Sequence, residues 1–518
     1  MSALTSYCVH SAALHGVEAL PVTIEVSISQ TIPGITIVGL PDASVHEARY
    51  RVRSALNKYG FELPRVHFTV NLAPSELRKS GAGFDLGIAV AILACTGQIP
   101  LEGLDECLFV GELGLEGDVS GVRGLVAYDL LAQEQHLTLM TANAAIPTKS
   151  NARACENIGE LLGGVRELPP VRGFAADEAD ALGSGMLGFA DVVDQEMAKR
   201  AFVIAAAGNH GLLMVGPPGA GKSMMAKRMP TILSKLDENE RAEATLIHSV
   251  AGQSIAGVQA GERPFRSPHH AISLGGMIGG GRPVTPGEVS LAHGGVLFLD
   301  ELPEFGPHVL QSLRQPMEDG VVSIVRVEGT YLFPCNFMLV AAANPCPCGY
   351  LGDPDHTCTC TQARIQTYQS RIGGPLMDRI DVLVDVARPS PSRIISGEGG
   401  TSSAQMAEEV AAAREFALWR KARGEGAETG RSSGTGRSRS KAARSGSKSG
   451  GAGSVAAQNL DAEARSTLEG MARRLVLGGR NIVRIARVAR TIADLAEEEK
   501  VLKDHVIEAC AFRTRSSL

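Results

Sequence analysis

The segment Gly216-Pro-Pro-Gly-Ala-Gly-Lys-Ser223 sits between the apolar run Leu212 to Val215 and a helical pattern opened by Met224, Met225 and Ala226. Glycines at these spacings turn backbone N–H groups inward around a β-phosphate only when a strand ends on one side and a helix begins on the other. The segment therefore demands a strand–loop–helix unit inside an α/β sheet. Each of Gly216, Pro217, Pro218, Gly219, Ala220, Gly221, Lys222 and Ser223 is a candidate ligand of a nucleoside triphosphate, with Lys222 reaching the β/γ oxygens and the Ser223 hydroxyl ligating Mg²⁺. A chance glycine turn is the bland alternative, but it seldom falls between a strand and a helix. Val296-Leu-Phe-Leu-Asp300-Glu301 supplies the complementary half: a buried strand ending in two carboxylates. Asp300 is placed to hold Mg²⁺ through water, and Glu301 to polarise an attacking water.

At 518 residues the chain is too long for one core. Val22, Ile24, Val26 and Ile28 alternate with polar residues as a half-buried strand requires. Ala43 to Tyr59 has helical spacing, Val66 to Leu72 is an apolar stretch, and Phe84 to Cys95 reads as a buried helix. Residues 1–167 are thus expected to form one α/β domain, and residues 168–185 a linker rich in Gly, Ala, Pro and Asp. Residues 186–392 should form the P-loop domain, with strands at Leu212 to Val215, Val296 to Leu299 and Phe337 to Ala342 in a parallel sheet. Residues 393–423 and 458–518 read as helical. They are interrupted by residues 424–457, which are almost entirely Gly, Ser, Ala, Arg and Lys and are expected to be disordered. That insert is either a plain solvated linker or a nonspecific anion-binding tether.

The formal net charge of −6 excludes a chain coated in basic surface, so any nucleic-acid contact must come from local loops. Residues 1–16 show no basic stretch followed by an apolar core, and no apolar run is long enough to span a bilayer, which points to a cytoplasmic protein with no membrane partner. Six cysteines are scattered. The other four, Cys346-Pro-Cys348 and Cys358-Thr-Cys360, could surround one tetrahedral zinc as a structural clip, although the pairs are tighter than the usual spacing. His356 is a substitute ligand, and free reduced thiols are the alternative.

Four segments, Pro264-Phe-Arg-Ser-Pro-His-His270, Pro286-Gly-Glu-Val-Ser-Leu-Ala-His293, Leu299-Asp-Glu-Leu-Pro-Glu-Phe305 and Asn344-Pro-Cys-Pro-Cys-Gly349, together resemble the magnesium-chelatase-like AAA+ ATPases, most closely their ComM/YifB branch. The resemblance spans nearly the whole chain except the basic insert. It implies ATP and Mg²⁺ as cofactors and a C-terminal helical lid on an AAA+ core. It also implies roles for particular residues: Asn344 as the sensor that orients the lytic water, Arg379 within Leu376-Met-Asp-Arg-Ile-Asp381 as a finger inserted into a neighbour's site, and Arg480, or failing it Arg484, as the second sensor. A finger acting in trans requires a ring, here a homohexamer.

The function implied is that of a translocase or helicase driving branch migration on single-stranded or branched DNA. Candidate grips are Arg282 in the Leu274 to Pro286 insert and Arg326 in a hairpin at Val321 to Phe333. The alternative is a chelatase-type motor subunit that remodels a partner protein. A transcription activator would call for a Gly-Ala-Phe-Thr-Gly-Ala loop, which the sequence lacks. Within residues 1–167, Gly111 to Leu125 resembles the Lon-protease fold. Val126 stands where that family carries its catalytic lysine, and Lys79 to Asp85 lacks the nucleophilic serine at its expected place, so a scaffold or binding module is expected rather than a protease.

Overall fold

The computed structural model describes residues 5–513 apart from 145, 147–149, 173–187, 328, 373, 397–399 and 430–454. Most of the expected linker and of the expected disordered insert lies outside the described residues.

Val22, Ile24 and Val26 point into the first core from a strand that runs Glu18–Ser29. It is flanked by antiparallel partners Ser6–His15 and His67–Ala73, and the sheet order is Gly34–Val38, His67–Ala73, Glu18–Ser29, Ser6–His15, Cys107–Phe109, Thr138–Thr141, Arg153–Ala154. The helix Asp85–Thr96 is apolar all round, so it can only lie inside, and it is buried from Asp85 through Cys95. Its one charge is compensated: Arg51 donates to the Asp85 carboxylate at 2.6 and 3.0 Å, and Leu113 N–H donates at 3.3 Å. The unit continues past Glu167, since Ala152 and Ala154 pair with the 169–171 segment (Val171 N–H to Ala152 O, Ala154 N–H to Pro169 O).

The second sheet is wholly parallel, in the order Phe265–Arg266, Val296–Leu299, Met338–Ala343, Leu212–Val215, Val382–Asp385. Leu212–Val215 and Val296–Leu299 are buried at every position, the pattern of strands covered on both faces. Because all five run the same way, the ends of Leu212–Val215, Val296–Leu299 and Met338–Ala343 open onto one edge, where an α/β sheet presents ligand-binding loops. Helices Ser403–Thr429, Ala462–Arg474, Gly479–Leu495 and Lys503–Ala511 follow. Phe202, Val340 and Val382 of the sheet region share one core with Val410, Leu468, Val488 and Val506 of these helices. Within the helical region 458–518 the chain breaks at Leu475 to Gly478, where Val476 takes φ 50°, and a new helix starts at Gly479. The Ser403 helix runs on to Thr429, beyond the boundary at residue 423.

The two units meet at a seam. Gly124 N–H donates to Ser249 O at 2.9 Å, and the His15 ring stacks on Tyr331 with centroids 4.4 Å apart. No helix among the described residues is long and apolar enough to cross a membrane.

Candidate active site

Where the Leu212–Val215 strand ends, a Cβ on Gly216 would lie 2.0 Å from Val386 O, so only glycine lets the chain leave the sheet here. Gly219 and Gly221 then take φ +79° and +85°, turning the loop into the helix that begins at Lys222. The Lys222 ammonium donates to Gly216 O at 2.6 Å, Pro217 O at 2.9 Å and Asn344 Oδ1 at 3.1 Å. Burial pushes Lys222 down to about 8, against the opposing pull of Asp300 and Glu301. Ser223 Oγ donates to Asp300 Oδ2 at 2.5 Å. A hydroxyl and a carboxylate this close form a hard oxygen pair suited to a Mg²⁺ that keeps most of its waters and takes its remaining ligands from phosphate.

Glu301 adopts φ 50°, unusual for a residue with a side chain, and its N–H donates to Asp300 Oδ1 at 2.9 Å. His270 Nδ1 lies 3.4 Å from Glu301 Oε2, and the Glu301 charge acts on Lys222. Lys222, Ser223, Asp300, Glu301 and Asn344 therefore converge. His270 was not assigned a role from sequence, although it closes the Pro264 to His270 segment that carries part of the resemblance.

The arginines lie elsewhere. Asp381 and Val382 N–H both donate to Gly211 O at 3.0 Å, which fixes Arg379 to Asp381 at the start of the parallel strands, whereas the phosphate loop follows their ends. The Leu212–Val215 strand separates the two places by about 13 Å, at roughly 3.3 Å per residue. Arg379 pairs with Glu318, Arg480 Nη1 donates to Asp378 Oδ2 at 3.1 Å, and Arg484 lies 3.6 Å from Asp381. Burial first, and then the charges of Arg484, Arg314 and Arg480, hold Arg379 below the ordinary guanidinium range. Beside it lies a cavity of about 220 Å³ walled by Arg379, Arg484 and Arg487.

The four cysteine sulfurs all lie within 4.8 Å of one another, with Cys346 Sγ 3.4 Å from Cys348 Sγ and 3.7 Å from Cys358 Sγ, and Cys348 Sγ 3.6 Å from Cys358 Sγ. A tetrahedron with Zn–S bonds of about 2.3 Å has edges of about 3.8 Å, so the donor set fits that ion. His356 is engaged elsewhere, its Nδ1 accepting from Arg388 Nη1 at 2.9 Å.

The hairpin forms over Val321–Arg326 and Gly329–Pro334, with Val325 and Val327 exposed at its tip. Arg326 Nη2 lies 3.1 Å from where a Cβ on Gly280 would stand, so the two basic loops, Arg326 on one and Arg282 on the other, are neighbours. Val126 is buried at the seam, its N–H donating to Ser249 Oγ at 3.2 Å. Ser80 lines a cavity of about 410 Å³ there, together with Arg123, Val284 and Tyr331.

Family comparisons agree along the chain. The family described as Magnesium chelatase, subunit ChlI, matches residues 188–394, Subunit ChlI of Mg-chelatase matches 24–144, and Magnesium chelatase, subunit ChlI C-terminal, matches 400–513. Competence protein ComM of Haemophilus influenzae is 38% identical over 526 residues, covering 98% of this chain and 97% of its own. YifB of Escherichia coli is 37% identical and covers 98% of this chain and 96% of its own. A magnesium-chelatase 67 kDa subunit of Chlorobaculum tepidum is 26% identical over 31% of this chain. Similarity of this extent means that the chain belongs to the ComM/YifB family of magnesium-chelatase-like AAA+ ATPases.

Proposed function

We propose that this protein is a ring-forming ATPase that spends ATP hydrolysis on moving along single-stranded or branched DNA, promoting branch migration. The observation that carries the catalytic half is the split constellation. Lys222, Ser223, Asp300, Glu301 and Asn344 sit at one edge of the sheet, while Arg379 and its arginine neighbours sit at the other. A guanidinium on the far edge cannot reach a γ-phosphoryl bound by its own Lys222. In a ring it meets the neighbour's, where it neutralises charge developing on the transferred group. In that arrangement Glu301 takes the proton of the attacking water, Asn344 orients that water, and Arg480 or Arg484 supports the finger from the same surface. ATP and Mg²⁺ are the cofactors, with the metal held at Ser223 and Asp300.

The DNA half rests on two adjacent exposed loops carrying Arg282 and Arg326, and on a full-length relative named for competence. A few cations per subunit suffice when several subunits line one channel, which reconciles DNA binding with a net charge of −6. The unit before residue 172, with Val126 turned into the seam, acts as a scaffold on the motor. The resemblance to a magnesium-chelatase subunit supports the second reading, a motor that remodels a partner protein. The test is the ATPase rate of purified protein with and without single-stranded and branched DNA, in low and moderate salt. DNA should raise the rate, with affinity falling steeply as salt rises and hardly depending on base sequence. Arg282→Ala and Arg326→Ala should weaken this coupling without touching nucleotide affinity. ATP-competent rings that bind no DNA at low salt would leave only the remodelling motor.

A further inference from the structure

The cysteine cluster lies against the phosphate loop. Asn344, whose Oδ1 accepts from Lys222, is followed by Pro345 and then by the buried ligand Cys346. Three residues on, Gly349 takes φ +85°, and a Cβ there would stand 2.6 Å from Pro218 Cδ, so the loop carrying the sulfurs presses directly on the phosphate loop. A second brace comes from Arg388, just past the Val382–Asp385 strand. Its Nε donates to Pro218 O at 3.3 Å and its Nη1 to His356 Nδ1 at 2.9 Å, its guanidinium carbon lies 5.4 Å from the Tyr350 ring centre, and Asp353 is 3.8 Å away. Tyr350, Asp353 and His356 all belong to the span between Cys348 and Cys358. Asp353 ties that span together by accepting from the N–H groups of Asp355 and His356 at 2.9 and 3.1 Å.

We propose that Cys346, Cys348, Cys358 and Cys360 hold a zinc ion that sets the shape of the phosphate loop, so that metal occupancy controls nucleotide binding and turnover. The physical reason is that the residues between the two Cys-x-Cys pairs are held by Arg388, by the Asp353 turn and by the sulfurs at their ends. Gly352 and Pro354 to Thr357 are exposed, so the span packs little apolar area into a core. Three of the sulfurs lie 3.4 to 3.7 Å apart and all four lie within 4.8 Å of one another, a spacing that a single tetrahedral zinc accounts for. Zinc closes the loop and thereby fixes Gly349 on Pro218 and presents Tyr350 and His356 to Arg388. Without it the sulfurs lose their common centre, Pro218 loses both braces, and Asn344 loses its fixed relation to Lys222. This goes beyond a structural clip, for which loss of metal lowers stability and leaves catalysis alone. It rests on the reading of Lys222 and Glu301 as the nucleotide site.

The experiment uses the full chain. Elemental analysis of purified protein should find about one zinc per chain, as a four-sulfur site binds a single ion. Stripping the metal with a chelator should weaken binding of a fluorescent ATP analogue by about tenfold or more, because displacing a positioning group by about 1 Å can cost about 100-fold. Far-UV circular dichroism should stay unchanged, and added Zn²⁺ should restore affinity. Arg388→Ala provides the control that keeps all four sulfurs: it should retain zinc yet weaken ATP binding in the same direction. Metal-free protein as purified, or stripped protein with undiminished ATP affinity, would overturn the proposal. Zinc-loaded protein whose nucleotide binding is indifferent to Lys222→Ala would instead remove the site beneath it, a result distinct from either.

Discussion

Lys222 ties the site together at the scale of single residues, since its ammonium bonds both the loop and Asn344. Lys222→Ala should abolish nucleotide binding. Glu301→Gln should bind ATP normally and hydrolyse it about 10²–10⁴-fold more slowly, the range for losing a positioned general base; equilibrium binding alongside single-turnover hydrolysis separates the two. Because burial brings Lys222 to about 8, its ammonium begins to discharge near neutral pH, and only the charged form pairs with phosphate. ATP affinity should therefore weaken as pH rises through 8, by up to about tenfold per unit above it, and affinity that stays flat from pH 7 to 9.5 would contradict this. The glycine loop between strand and helix and the acidic strand end were legible in the sequence because their geometry is local. Arg388 was not, since its contact with Pro218 spans 170 residues and an arginine after a strand carries no signal of its own. His270 was visible only as part of a longer resemblance, its nearness to Glu301 being a product of strand order.

At the scale of elements, periodicity located the buried helix near Phe84 and the three strands that surround the site to within a residue, and found the alternating strand near Val22, which starts earlier, at Glu18. The C-terminal helical region divides into Ala462–Arg474 and Gly479–Leu495, the second opening beside Arg480, while the turn between them leaves little trace in the hydrophobic spacing. Two substitutions test how the elements are held. Arg51→Met removes the partner of the fully buried Asp85 carboxylate and should destabilise the first unit by about 3 kcal/mol. Arg51 keeps 17% side-chain exposure, which favours the low end of that effect; urea unfolding followed through that unit's own transition measures it. Gly349→Val places a side chain onto Pro218 at a left-handed φ and should cost ATP affinity while leaving the metal content intact. Equilibrium titration with a fluorescent ATP analogue, beside elemental analysis, checks both halves.

For the whole molecule, Gly216 to Ser223 and the Arg379 cluster lie at opposite ends of the same strands, and under the proposed function this leaves one subunit incomplete as a catalyst. The sequence suggests assembly only through family resemblance, because no composition or spacing reports which sheet edge an arginine will occupy. The direct measurement is the steady-state ATPase rate of Arg379→Ala mixed with Glu301→Gln over a range of ratios at fixed total protein. Each variant alone should bind ATP and be nearly inactive. In mixed rings an intact Glu301 of one subunit faces an intact Arg379 of the next, so activity should rise to a maximum near equal proportions. Mixtures that never exceed the two variants measured alone, under conditions where they demonstrably co-assemble, would contradict hydrolysis shared between neighbours.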